Sequence, residues 1–220
     1  MNRKSFFLLL IFSMVVLAVS AQHLFSGTIK YKVTYPANAS SPIIASLPSS
    51  IDMQISGNKA KFELSLPNGK QTIIINGDES SVTRLIDLKE GKFYIKKTKE
   101  ELGQGPVPVT VPLKESRTIA GFNCKGAEVT STDKGGKTDK GNFYYSEELG
   151  ANNIYFNTSA KGIKGILLDF EYTISGVIMQ MSAQEVNPSK ISGRTFDIPS
   201  DYQETTEAKI QQMRQAKKKK

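Results

Sequence analysis

The sequence predicts a mainly β protein: a single domain in which a curved antiparallel sheet forms a half-barrel meander with few short helices. Three observations predict it. Apolar and polar residues alternate at period two, as in Ile29, Tyr31, Val33 and Tyr35 against Lys30, Lys32 and Thr34, the pattern of a strand with one wet face. Turn-forming pairs such as Gly57-Asn58, Gly77-Asp78 and Glu90-Gly91 punctuate these runs at the spacing of a meander, roughly every ten residues. Helix-forming composition is confined to short stretches, notably Lys99 to Leu102 and Glu204 to Ala216.

The chain opens on an export signal. Arg3 and Lys4 precede an apolar run over residues 6–19, and Val19, Ser20 and Ala21 supply the small residues a signal peptidase needs. The run is roughly 14 residues, short of the ~20 that span a bilayer. Cleavage after Ala21 is expected, which makes residues 1–21 a leader and 22–202 the β-rich domain. Residues 203–220 read as a helical to disordered basic tail. No cysteine lies near the cleavage site, so neither a lipid anchor nor a membrane span is expected, and the mature protein is placed in the periplasm or outside the cell. Cys124 is the single cysteine, which excludes an internal disulfide.

The formal charge of +8 is concentrated at the end of the chain. Lys209, Arg214 and Lys217 to Lys220 face only Glu204 and Glu207 there. A nucleic-acid binder carries its basic patch on the folded surface among aromatics, so nucleic acid is not expected as a partner. Lys217, Lys218, Lys219 and Lys220 instead suit an anionic membrane surface, at roughly 1 kcal/mol per basic residue.

In order, the predicted strands cover residues 25–35, 51–55, 59–66, 71–76, 81–88 and 92–96. A loop rich in Pro, Ala and Ser follows the first strand, with a helical turn expected near residues 43–45. Residues 98–112 break the rhythm and read as the crossing between two halves of the sheet. Residues 117–129 and a short aromatic strand at 142–146 then read as a hairpin, with its tip at residues 133–137. In that hairpin Phe122 and Cys124 share a face, but Ala127 and Val129 are out of phase with them, so a bulge is expected at Gly126. The last strands are the most apolar: Ile166, Leu168, Phe170, Tyr172 and Ile174 line one face, and Val177, Met179, Met181 and Ala183 line the next.

Two local patterns carry a resemblance. Residues 118–127 are similar to an Ile-x-Gly-aromatic-x-Cys-Lys-x-Ala signature, through Ile119, Gly121, Phe122, Cys124 and Lys125. Phe196, Ile198, Pro199 and Tyr202 resemble the Phe-x-(Ile/Leu)-Pro-x-x-Tyr ending found with it. With Phe25, Gly27 and Ile29 at the start and Tyr144 to Leu149 in the aromatic strand, the chain resembles the exported bacterial family catalogued as domain of unknown function 4412. That resemblance implies an exported protein with no assigned activity or catalytic residues. It also implies kinship with the periplasmic lipoprotein-carrier fold, a curved sheet around an apolar cavity.

The residues argue against most catalysis. His23 is the only histidine and lies next to the expected new terminus, a poor place for a base held against a nucleophile. One Cys and one His cannot furnish a zinc site, and no cofactor or metal is expected. Cys124 reads as a small buried hydrophobe. Gly136, Lys137 and Thr138 lack the helix that a phosphate-binding loop opens. Asp169 and Glu171 point the same way on a strand, the arrangement a carboxylate-dependent hydrolase would need, but alternation assigns them to the wet face.

The expected function is therefore non-enzymatic: a lipophilic ligand held in an apolar cavity walled by Ile29, Tyr31, Val33, Leu168, Phe170, Tyr172, Met179 and Met181. Methionine suits variable apolar guests. The alternative is a structural or protein-interaction module of the cell envelope with a filled core.

Overall fold

The computed structural model describes residues 24–36, 47–66, 69–102, 108–132, 136, 138–174 and 177–218. The predicted leader and its cleavage site, His23, the turn near residues 43–45, Lys219 and Lys220 lie outside them.

The chain forms one 12-stranded sheet in the order β12-β6-β5-β4-β3-β2-β1-β11-β10-β9-β8-β7. The strands are β1 (Ser26–Thr34), β2 (Ser50–Ser56), β3 (Lys59–Leu66), β4 (Gly69–Asn76), β5 (Ser81–Leu88) and β6 (Gly91–Lys97), then β7 (Val109–Ile119), β8 (Phe122–Thr132), β9 (Thr138–Ser146), β10 (Ile166–Ile174), β11 (Val177–Pro188) and β12 (Gln203–Glu204). All neighbours are antiparallel except β12, which runs parallel to β6. Helix α1 (Lys99–Leu102) begins the crossing from one edge of the sheet to the other, and α2 (Glu207–Lys218) ends the described chain.

Alternation builds the first half as expected. In β1, Ile29, Tyr31 and Val33 are buried while Lys30, Lys32 and Thr34 are exposed. Ile51, Met53 and Ile55 of β2 and Ala60, Phe62 and Leu64 of β3 continue the same inner face, and all join one apolar cluster with Ile73 of β4. That cluster also contains Val129 of β8 and Phe143 of β9. β4 and β9 are six strand spacings apart, about 29 Å in a flat sheet. Their residues share one core because the sheet curves round on itself.

β7 is an edge strand of 11 residues with no buried side chain. Alternation does not reveal it, because there is no buried face to alternate with. It also contains Pro112, which edge strands tolerate. The turn into β8 is two residues long, with Ile119 paired to Phe122. Ala120 and Gly121 both have positive φ, 48° and 85°, as the right-handed twist of a tight hairpin demands.

The phase slip in β8 is real: Cys124 is buried on one parity and Ala127 and Val129 on the other. The bulge expected at Gly126 lies instead in the strands flanking the β8–β9 ladder, which runs unbroken from Lys125/Tyr145 to Thr132/Thr138. One register shift falls in β7 between Pro112 and Ser116, and another in β10 between Leu167 and Asp169. Gly126 serves close approach: a Cβ there would sit 3.0 Å from both Leu113 and Tyr144.

The C-terminal segment clasps both faces of the β6 edge. Phe196, Ile198 and Tyr202 pack with Ile74, Leu85 and Tyr94 on the outer face, and the Tyr202 hydroxyl donates to Asp87 Oδ1. The chain rounds the edge as β12, and Ile210 of α2 is then buried on the inner face among Ile86, Phe93 and Ile95. Thr206 Oγ1 accepts from the Lys209 N–H at the helix start, and Glu207 pairs with Arg84 and Lys97. Glu207, Ile210 and Met213, read from sequence as part of a tail, thus take part in packing. The helical turns continue through Lys217 and Lys218, whose side chains lie outside the described residues.

Candidate functional site

The site is shaped by a segment whose sequence carries no periodic signal, the β9–β10 connector over residues 147–165. Leu149, Ile154, Tyr155, Ala160 and Ile163 are buried from it into the main cluster. The connector is pinned at two places. Asn153 donates its backbone N–H to Asn58 Oδ1 (2.9 Å) and its side-chain Nδ2 to the Gly77 carbonyl (2.8 Å). Gly77 has to be glycine, since a Cβ there would lie 2.6 Å from the Asn153 carbonyl oxygen.

The second pin lies at the β10 bulge. Leu167 N–H donates to the Tyr155 hydroxyl at 2.9 Å, and Leu167 C=O accepts from the Tyr31 hydroxyl at 2.7 Å. Two buried tyrosines therefore satisfy the backbone where the ladder slips, as a buried peptide group requires. Burial raises the pKa of both tyrosines, and for Tyr31 the neighbouring Tyr155 adds to the effect.

Beside the connector lies a cleft of about 550 Å³, within the usual size of small-ligand sites. Its apolar lining is Ile73 and Ile75 of β4, Val82 of β5, Val129 of β8, Phe143 of β9, and Ile154 and Phe156 of the connector. Its polar lining is Ser131, Lys140, Asn157, Thr158, Ser159 and Glu171. A smaller void of about 40 Å³ lies against Met53, Phe62, Tyr155, Phe170 and Met181, and Phe143, Ile154 and Glu171 border both spaces.

The residues predicted to wall a cavity are brought together, mostly as packed core. Ile29, Tyr31, Val33, Leu168, Phe170, Met179 and Met181 are all buried in the main cluster. Tyr31 and Phe170 meet edge to face, with ring centroids 5.7 Å apart. Phe170 and Met181 border the small void, while the larger cleft is lined by other residues. Tyr172 is paired with Met179 in the β10–β11 ladder, but its side chain lies outside the described residues.

Sequence alternation missed Glu171. The β9–β10 ladder, as described, ends at Asp169/Tyr144. Beyond it the Glu171 Cβ lies 4.0 Å from where a Cβ on Gly141 would be, so the absent side chain leaves room for Glu171 to reach the cleft. Asp169 is held elsewhere, accepting from Gln180 Nε2 at 2.5 Å and Ser182 Oγ at 3.2 Å. Lys140 at the rim is bridged to Glu128 at 3.1 Å. Cys124 is buried, with its thiol pushed up to about 11 by burial, which suppresses the nucleophilic thiolate. Among the described residues no group of three or more His, Cys, Asp or Glu is placed to hold a metal ion, and no helix is long and apolar enough to cross a membrane.

No family model and no curated protein matches the chain. Among solved structures, the chain is similar to an uncharacterized conserved protein from Thermus thermophilus, at 11% identity and a TM-score of 0.45, over 82% of this chain and 90% of that one. It is also similar to LprF from Mycobacterium bovis, at 12% identity and a TM-score of 0.31, over 76% of this chain and 89% of that one.

Proposed function

We propose that this is an exported, non-enzymatic envelope protein of the 4412 family that binds a lipophilic ligand in the cleft beside the β9–β10 connector. The observation that supports this reading is the cleft itself: about 550 Å³, walled by Ile73, Ile75, Val82, Val129, Phe143, Ile154 and Phe156. Each Å² of apolar surface taken from water there contributes about 25 cal/mol, so the interior supplies affinity and the polar lining supplies orientation. The basic end at Lys217 to Lys220 adds attraction to an anionic bilayer, where such a ligand is collected or delivered.

Native mass spectrometry of the protein recovered from a bacterial periplasm tests the binding. Copurifying lipid, or uptake of a nonionic amphiphile that Phe156→Asp abolishes, is the expected result. Wild-type protein that is empty and takes up no amphiphile sinks the reading. N-terminal sequencing of the same sample tests export, with Gln22 expected as the first residue.

A second reading, an interaction module, is favoured by β7. Among the described residues that strand ends the sheet, and Val109 and Val111 on it are 62% and 52% exposed. Bare edges of this kind accept a further strand. Concentration-dependent self-association that Val111→Lys removes would support it.

A further inference from the structure

The reading of the cleft as a lipophilic site leaves the polar end of its ligand unspecified, and the charges around it are informative. Among the described residues two charged side chains line the cleft, Lys140 and Glu171. Lys140 is neutralised by Glu128 at 3.1 Å and stands mostly in solvent. Glu171 has no ion-pair or hydrogen-bond partner among the described residues, is half-buried, and borders both the cleft and the small void. Among the described residues these groups are two carboxylates, Glu128 and Glu171, and one amine, Lys140.

Aromatic side chains line both spaces that Glu171 borders. Phe143 and Phe156 line the cleft with it, and Tyr155 and Phe170 line the void with it. Aromatic faces carry negative electrostatic potential and attract cations, most strongly where water is excluded. A carboxylate beside aromatic rings favours an ammonium group and disfavours a carboxylate or phosphate. The aliphatic wall of Ile73, Ile75 and Val82 then accommodates a hydrocarbon chain. We infer that the cleft takes an amphiphile with a cationic head, an alkylammonium or quaternary ammonium group, and that Glu171 is its counter-ion.

The inference rests on the proposed lipophilic site, so the test separates the two. Binding of dodecyltrimethylammonium, dodecyl maltoside and laurate, all with the same chain length and below their micelle thresholds, is measured by calorimetry at neutral pH. The full mature protein, Glu171→Gln and Phe156→Leu are compared, with thermal melts checking that the variants fold. The expected order for wild type is ammonium first, maltoside next and laurate weakest, with at least tenfold between the charged probes.

Glu171→Gln is expected to weaken the ammonium probe about tenfold and leave the maltoside within twofold. Phe156→Leu is expected to weaken the ammonium probe several-fold more than the maltoside. Equal binding of all three probes, or tighter binding of laurate, overturns the cationic head while leaving the lipophilic site in place. Binding of none overturns both. The wild-type order decides the matter even if a variant does not fold.

Discussion

Between β2 and β6 every ladder runs without a register shift, whereas the ladders on the other side of β1 slip at three places. The slips fall at Lys30/Tyr31 against β11, at Leu167/Asp169 in β10 and at Pro112/Ser116 in β7. The regular half is a wall whose inner residues follow from alternation. The irregular half bends the sheet, frees a stretch of backbone that two tyrosines must satisfy, and brings Glu171 into the cleft. Regular pairing builds the support, and the special features gather where pairing is interrupted.

The largest expected effect tests whether the two halves share one core. Phe170 touches Tyr31 of the central strand and Phe143 beyond the bulge, with ring centroids 5.7 and 6.3 Å apart. Phe170→Ala should cost about 3–5 kcal/mol in urea unfolding, as for other buried aromatic truncations, with a single transition retained. Two separated transitions would show that the halves fold as independent units.

Next are the tyrosines at the bulge. Tyr155→Phe or Tyr31→Phe leaves one Leu167 backbone group without its partner, at about 1–3 kcal/mol each. Both hydroxyls have pKa values raised above the ordinary 10.0. The unfolded chain therefore releases these protons first, and stability is fully present below pH 10 and falls as the pH rises above it. The expected slope is about 1.4 kcal/mol per pH unit for each tyrosine. Denaturation midpoints from pH 9 to 11 check this, and the slope should flatten in each Phe variant.

Smaller effects come from the turns. Gly77→Ala pushes a methyl group against the Asn153 carbonyl, and the strain should cost about 1–3 kcal/mol and speed proteolysis within residues 147–165. An unchanged cleavage rate would show that the Asn153 clasp does not hold the connector. Ala120→Gly should gain about 0.5–1 kcal/mol, because relief of the left-handed strain exceeds the entropy added to the unfolded chain.

Much of this architecture was legible in the sequence. Period two placed Ile29, Tyr31, Val33, Leu168, Phe170, Met179 and Met181 correctly inside, and Gly57-Asn58 joins β2 to β3 as a hairpin. β7 was not legible, because an edge strand exposed on both faces has no alternation to show. The connector was invisible because its buried residues, Ile154, Tyr155 and Ala160 among them, follow turns instead of a repeat. The slip at Gly126 was seen, but its bulges lie in other strands, since register belongs to pairs of strands. Glu171 escaped for the same reason: its reach depends on Gly141 across the gap in the ladder.

The first described strand sits in the middle of the sheet, with Gly27 of β1 opposite Pro188 of β11. A growing or refolding chain therefore waits for nearly all of its length before that seam can close, and folds of such long-range pairing are slow. Until then β1 offers a bare edge to any neighbouring molecule. Dilution and keeping the chain unfolded until it is complete should govern the yield of this protein more than its final stability does.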